Sequence, residues 1–138
     1  MKSRLSFTAI LMTASLVFLL NLSGNSQSSS KIVVYYFYGQ FRCHSCMRIE
    51  ELTRKAVQKE FQKELASGAM VFQPVNIDVP GNEHFIEDYK LATRSVILSK
   101  MVNGKQMSWK NLPMVWNYLD DENAFIEYVQ TEVKNFMK

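Results

Sequence analysis

Gly39-Gln40-Phe41-Arg42-Cys43-His44-Ser45-Cys46-Met47-Arg48 holds both cysteines of the chain, with two residues between them. The run Ile32-Val33-Val34-Tyr35-Tyr36-Phe37-Tyr38 leads into it and is apolar or aromatic at every position. That pattern suits a central strand buried on both faces, as in a parallel arrangement. A helical pattern leads out. A strand, a loop and a helix in this order put Cys43 at a helix N-terminus, where unpaired N–H groups and the macrodipole favour negative charge. A thiolate is stabilised in such a place. Arg42 adds a positive charge beside it, and His44 adds a hydrogen bond or a second charge; the plain alternative for His44 is an exposed turn residue. Cys46 lies one turn further in, less exposed and close enough to close a small ring. Cys43 is therefore read as the attacking sulfur and Cys46 as the resolving one.

Before the strand, residues 1–26 read as an export signal. Lys2 and Arg4 form a short positive region, residues 7–22 are apolar but for Thr8, Thr13, Ser15 and Asn21, and small polar residues follow. Gly24 and Ser26 satisfy a small-x-small cleavage rule. The alternative is an uncleaved anchor, but the apolar run falls short of the ~20 residues that span a bilayer comfortably. No cysteine lies near residues 20–26, which disfavours a lipid anchor. Either way the folded part is expected in the periplasm or otherwise outside the cytoplasm, where a disulfide persists. Contact with a membrane is expected only if the segment stays attached. Residues 27–31 read as a Ser-rich linker and residues 32–138 as one domain, the default for a chain of 138 residues.

The formal charge of +3 is uninformative about partners. Lys2 and Arg4 are two of the 16 basic residues, and the remaining 14 face 13 acidic ones. That near-balance gives no sign of a nucleic-acid partner.

After the cysteines, Ile49, Leu52, Ala56, Val57, Phe61 and Leu65 make two adjacent rows on one side of a helix over 43–66. Lys55, Lys59 and Lys63 fall at i, i+4 and i+8, read as a solvated face. Gly68 ends the helix. Residues 69–78 read as a second strand. Pro74 lacks a donor, so this strand belongs at an edge or turns the proline to its unpaired side. A short helix over 83–89, a strand over 95–102, a hairpin at Asn103-Gly104 and a strand over 105–109 follow. Asn111 is placed to cap a helix, with Pro113 at its second position. Asp120, Asp121 and Glu122 suit the start of a last helix, whose buried face is Phe125, Tyr128, Val129, Val133 and Phe136. His84 reads as a surface residue. Trp109, Trp116 and Tyr118 read mainly as core, or as part of a docking face. The order β-α-β-α-β-β-α calls for an α/β domain with a four-stranded mixed sheet and helices on both faces.

These residues resemble the thioredoxin-like superfamily over about residues 31–138. The likeness rests on the strand running into Phe41-Arg42-Cys43-His44-Ser45-Cys46, on Val75-Asn76-Ile77-Asp78, on Tyr89-Lys90-Leu91 and on Asn103-Gly104-Lys105. More narrowly, Phe37-Tyr38-Gly39, Phe41-Arg42-Cys43, Cys46, Asn111-Leu112 and Trp116 resemble a small bacterial group, the ArsF-like nitrophenyl-compound nitroreductase subunits. The superfamily places a cis-proline before its third strand, facing the disulfide. Here that position falls on Ser95, and no proline lies between Pro80 and Pro113. A trans bond is expected, because a cis bond before a non-proline residue costs ~3 kcal/mol. The resemblance implies that Thr93-Arg94-Ser95 pass close to the cysteines as a substrate-facing loop. The superfamily also buries an acid under the motif, and the matching position is Phe37, which carries no proton.

The resemblance implies a thiol–disulfide oxidoreductase with no cofactor beyond its redox-active disulfide. Its partner is a protein thiol or disulfide, such as a membrane or periplasmic reductase. The narrower likeness implies instead an accessory redox subunit of a larger reductase. Cys43, Cys46 and His44, with Met47 near, also suit a soft cation such as copper(I). Zinc wants a fourth ligand, and only His84 is spare. A purely structural disulfide is disfavoured, since a two-residue loop cross-links little chain. No phosphate-binding glycine loop, Ser–His–Asp set, or flavin or nicotinamide fingerprint is present.

Overall fold

The computed structural model describes residues 29–138. The expected export segment, its cleavage point and most of the linker lie outside the described residues. Among the described residues no helix is long and apolar enough to cross a membrane.

Strand β1 (Ser30–Tyr38) is central. It is followed by α1 (His44–Glu60), α2 (Gln62–Ser67), β2 (Met70–Asn76), α3 (His84–Asp88), β3 (Ser95–Val102), β4 (Lys105–Asn111), a 3-10 turn at Pro113–Trp116 and α4 (Glu122–Met137). The sheet order is β2-β1-β3-β4, with β1 and β2 parallel and the other pairs antiparallel. This is the expected four-stranded mixed sheet with helices on both faces.

Alternation along β1 builds two cores. Ile32, Val34 and Tyr36 pack against Ile49, Leu52, Ala56 and Val57 of α1 and Phe125, Val129 and Val133 of α4. Val33, Tyr35 and Phe37 point the other way, onto Val75, Tyr89 and Ile97, with Phe85 and Trp109 packed around them. Successive side chains of a strand face opposite ways, so an unbroken apolar run serves both.

Strand β2 is an edge, as Pro74 requires. Ile32 N–H donates to Ala69 O and Ile77 N–H to Tyr38 O, both at 2.9 Å. Odd-numbered residues of β2 therefore face β1, and the nitrogen of Pro74 points to the free side, where no donor is needed. At the hairpin, Asn103 and Gly104 both take positive φ, 51° and 78°, the conformation that favours Asn-Gly in a two-residue turn.

Three boundaries differ from the sequence reading. The helix expected over 43–66 breaks at Phe61, where φ is −115° and ψ 38°, and restarts as α2. Phe61 is itself buried in the core, so packing of its ring accompanies the departure from helical geometry. Lys63 passes to α2, and Lys55, Lys59 and Lys63 do not share one helix. The second difference is that Asn111 caps no helix: it pairs with Ile97 as the last residue of β4. Leu112 precedes a proline and is pushed out of the helical region, so the chain stays extended until Pro113 opens the 3-10 turn. Third, β2 stops at Asn76, which frees Asp78 to turn toward the loop after β1.

The last helix starts as expected. Asp121 caps it, its carboxylate accepting from Ala124 N–H at 3.0 Å. Glu122 in the first turn receives Arg48 at 3.1 Å and Lys55 from α1, tying the two long helices together. Ile126, absent from the expected face, is buried beside Phe125.

Candidate functional site

The end of β1 delivers the chain to the cysteines. Cys43 is the N-cap of α1, and its sulfur accepts from Cys46 N–H at 3.2 Å. The two sulfurs are joined as a disulfide, with Cα atoms 5.1 Å apart. Cys43 is exposed and Cys46 is 2% exposed. No acidic residue occupies the first turn of this 17-residue helix, so its positive end is unopposed there. The disulfide opens on a cleft of about 420 Å³ lined by Phe41, Arg42, Thr93, Arg94 and Trp116.

The expected site residues are not all in this cleft. Thr93 and Arg94 line it, as the resemblance implied for the loop before β3. Ser95 does not: it is buried, and its hydroxyl turns back to Thr93 O at 2.8 Å. No peptide bond among the described residues is cis. Arg42 pairs with Glu50 and lies over the Tyr38 ring, 4.2 Å from its centroid, so its charge is already engaged. His44 is exposed and belongs to a neighbouring cleft with Arg48, Trp116 and Asp120. Among the described residues, with Cys43 and Cys46 joined as a disulfide, no group of three or more His, Cys, Asp and Glu is placed to hold a metal ion.

Phe37, the position matched to a buried acid, faces away from α1 into the second core. Its neighbour Tyr36 takes the place beneath the motif. The Tyr36 hydroxyl donates to Cys46 O at 2.7 Å, fully buried. Burial, above all, pushes this phenol up to about 12, with Arg42 pulling the other way. It therefore stays protonated as a fixed donor at any physiological pH. Alternation in β1 was the signal for it: even-numbered residues face α1, and of the two tyrosines there Tyr36 is the fully buried one, Tyr38 lying at the strand end. No Asp or Glu is buried among the described residues.

Of the late aromatics, Trp109 packs edge-on against Tyr89 at 5.6 Å, and Tyr118 packs tilted against Tyr128 at the same separation. Both serve the core. Trp116 serves the site, its indole N–H donating to Arg94 O at 3.1 Å. His84 is on the surface, hydrogen-bonded to Asp88 at 2.7 Å.

An exposed sulfur at the mouth of a helix, bonded to a buried one a turn below, at the end of the central strand of a β2-β1-β3-β4 sheet, is the arrangement of one fold. The chain has a thioredoxin-like fold. No family model matches it, and no curated protein matches it. One solved structure similar to it is described as thioredoxin-2, a component of malaria parasite protein secretion machinery. The two share 17% identity and a TM-score of 0.38 over 59% of this chain and 70% of that one. The fold assignment rests on strand order and crossover, and an overlap of this size adds nothing to it. None of the comparisons supports the narrower likeness to nitroreductase subunits.

Proposed function

We propose that this thioredoxin-like chain is an exported thiol–disulfide oxidoreductase working through Cys43 and Cys46. The observation that carries the proposal is the contrast between the two sulfurs, one open to the cleft at the helix N-cap and one buried behind it. A partner thiolate attacks Cys43 Sγ, the Cys43–Cys46 bond breaks, and Cys46 leaves as a thiolate. The second partner thiol, deprotonated, then attacks its own sulfur in the mixed disulfide and releases Cys43. Two electrons pass to this protein and the partner is oxidised to a disulfide. In the opposite direction Cys43 thiolate attacks a partner disulfide and Cys46 resolves the intermediate. The helix N-terminus favours Cys43 as the thiolate, and so favours the reduced form. The partner is a protein thiol or disulfide outside the cytoplasm, a reading supported by the N-terminal sequence.

The test is the reduction potential of the pair by equilibration with glutathione, with insulin reduction measured beside it. A potential in the range of exchange catalysts, above about −270 mV, is expected. A value far below about −300 mV identifies a structural bond and ends the redox reading. A poised potential without insulin reduction points to the accessory-carrier role that the narrower resemblance implied. The stabilised thiolate has a second consequence: the dithiol form melts at a higher temperature than the disulfide form. An equal or lower melting temperature removes the argument for that stabilisation.

A further inference from the structure

The loop from Gly39 to Arg42 is gripped from below by two groups the exchange chemistry leaves unused. Asp78 Oδ2 accepts from Gln40 N–H at 2.7 Å. Arg94 Nη2 donates to Phe41 O, two residues before Cys43, at 3.3 Å. Both reach in because residue 39 is a glycine. A Cβ there would stand 2.7 Å from Asp78 Oδ2 and 3.2 Å from Arg94 Nη2. Trp116 holds the backbone of Arg94 from the other side.

Arg94 differs from the other cations near the sulfur. It lines the cleft that contains Cys43 and Cys46, and also a smaller one of about 140 Å³ bounded by Gly39 and Asp78. Its Nε is buried and has no hydrogen-bond partner among the described residues. The charged groups around Cys43 come from four parts of the chain. From its own loop and helix come Arg42, His44, Arg48 and Glu50. From the loop after β2 comes Asp78, and from the loop before β3 comes Arg94; Asp120, before α4, faces His44. Arg42 is held by Glu50 and Arg48 by Glu122, while His44 and Asp120 lie in the neighbouring cleft. Of the two guanidinium groups that line the cleft with the sulfurs, Arg94 is the one that no carboxylate among the described residues holds in an ion pair.

Resting on the thiol–disulfide reading above, we infer that Arg94 is the side chain whose charge stabilises the Cys43 thiolate in the reduced protein, and that Asp78 fixes the loop while opposing that charge. Arg94 is thus a positioning and charge-supplying residue, one position before Ser95, which the resemblance matches to the superfamily's cis-proline. The two members of the clamp carry opposite charge, so their removal has opposite effects. A purely structural clamp lacks that property.

The experiment is the pH profile of iodoacetamide alkylation at Cys43 in the chemically reduced full chain, followed by peptide mapping. Arg94→Met is expected to raise the midpoint by about one pH unit, the lower end for loss of an opposite charge within reach. Arg94→Lys restores most of the shift. Asp78→Asn keeps an acceptor for Gln40 N–H and is expected to lower the midpoint. Arg42→Met moves it less than Arg94→Met. The glutathione equilibrium follows, with Arg94→Met favouring the disulfide up to about tenfold, or ~30 mV. An unchanged midpoint in Arg94→Met, a larger shift in Arg42→Met, or a rise in both Arg94→Met and Asp78→Asn overturns the assignment. Should Arg94→Met not fold, Asp78→Asn decides alone: a midpoint that rises or stays put overturns it. Alkylation of reduced protein does not depend on exchange with a partner. A structural-range potential with an intact Arg94 effect thus sinks the oxidoreductase reading and leaves this one standing.

Discussion

Ile32, Val34 and Tyr36 look onto helices of 17 and 16 residues, whereas Val33, Tyr35 and Phe37, on the same strand, look onto a helix of five. The first face is closed by the two long helices, with aliphatic side chains of α1 packed beside Phe125, Val129 and Val133 of α4. The second is closed by rings: Phe37 lies 5.0 Å from Tyr35, 5.1 Å from Phe85 and 5.3 Å from Tyr89. A five-residue helix presents too few side chains to cover a strand with aliphatics, and aromatic residues supply the most buried area per residue. The division reaches the site. Cys46 and Tyr36 belong to the helical face, while Asp78 and Arg94 come from loops flanking α3. The disulfide sits at the end of β1, where the two constructions meet.

The largest test of this contrast is to delete a ring from each face. Phe125 is fully buried between α4 and the sheet, and Phe125→Ala is expected to cost ~3–5 kcal/mol in urea unfolding. Phe85 is only partly buried over the thin face, and Phe85→Ala is expected to cost ~1–2 kcal/mol, below the range for a fully buried ring. Equal losses would show that the short helix carries as much of the fold as the long ones.

Alkaline titration probes the same contrast with one hydroxyl on each face. Tyr35 and Tyr36 are both raised to about 12, burial being the first cause in each. Below pH 10 both phenols are protonated in the folded and unfolded chain, and their full contribution is present. Between pH 10 and 12 the unfolded chain gives up these protons and the folded chain keeps them, so stability falls as pH rises. The loss is on the order of 2 kcal/mol for each tyrosine. Tyr36→Phe and Tyr35→Phe should each remove a similar share of the dependence, read as unfolding free energy against pH, with a remainder from Tyr89 and Tyr128, which burial also raises. A dependence traced to Tyr36 alone would mean that water reaches the hydroxyl under the thin face. At neutral pH, Tyr36→Phe also takes the donor from Cys46 O, a change of ~1 kcal/mol because that carbonyl lies within α1.

Local signals account for what the sequence disclosed. Asn103-Gly104 marks its own turn, Asp121 its own cap, and the continuous apolar run of β1 its burial on both sides. Cys43 at the helix start follows from the same local logic. What stayed hidden depends on distant partners. The break at Phe61 accompanies packing of its ring into the core. The extended Leu112 answers to Pro113, a local signal outweighed in the sequence reading by the capping preference of Asn111. Arg42, next to the cysteine in sequence, is drawn off by Glu50 and Tyr38, while Arg94, about fifty residues later, arrives beside it. Adjacency along the chain does not disclose this arrangement, because charge acts through space and the nearer arginine has another partner. The burial of Ser95 depends on such partners too: it begins a buried strand, and its hydroxyl finds a carbonyl two residues back.

The smallest expected effect lies at the solvent edge of the helical face. Glu122 accepts Arg48 and Lys55, and the Lys55 hydrogen bond, ahead of the other influences, holds its carboxyl below the usual range. A lowered folded-state pKa gives stability that is present above the unfolded value and is lost as pH falls through the folded one. The carboxylate is open to solvent, where such pairs contribute little and salt screens them. Glu122→Gln should therefore lower the melting temperature slightly at low ionic strength and not at all in 1 M salt, and should flatten the acid limb of the stability profile. A loss that survived high salt would mean that these ion pairs set how α1 lies on α4. The helical face would then owe its rigidity to its polar rim as well as to its apolar centre.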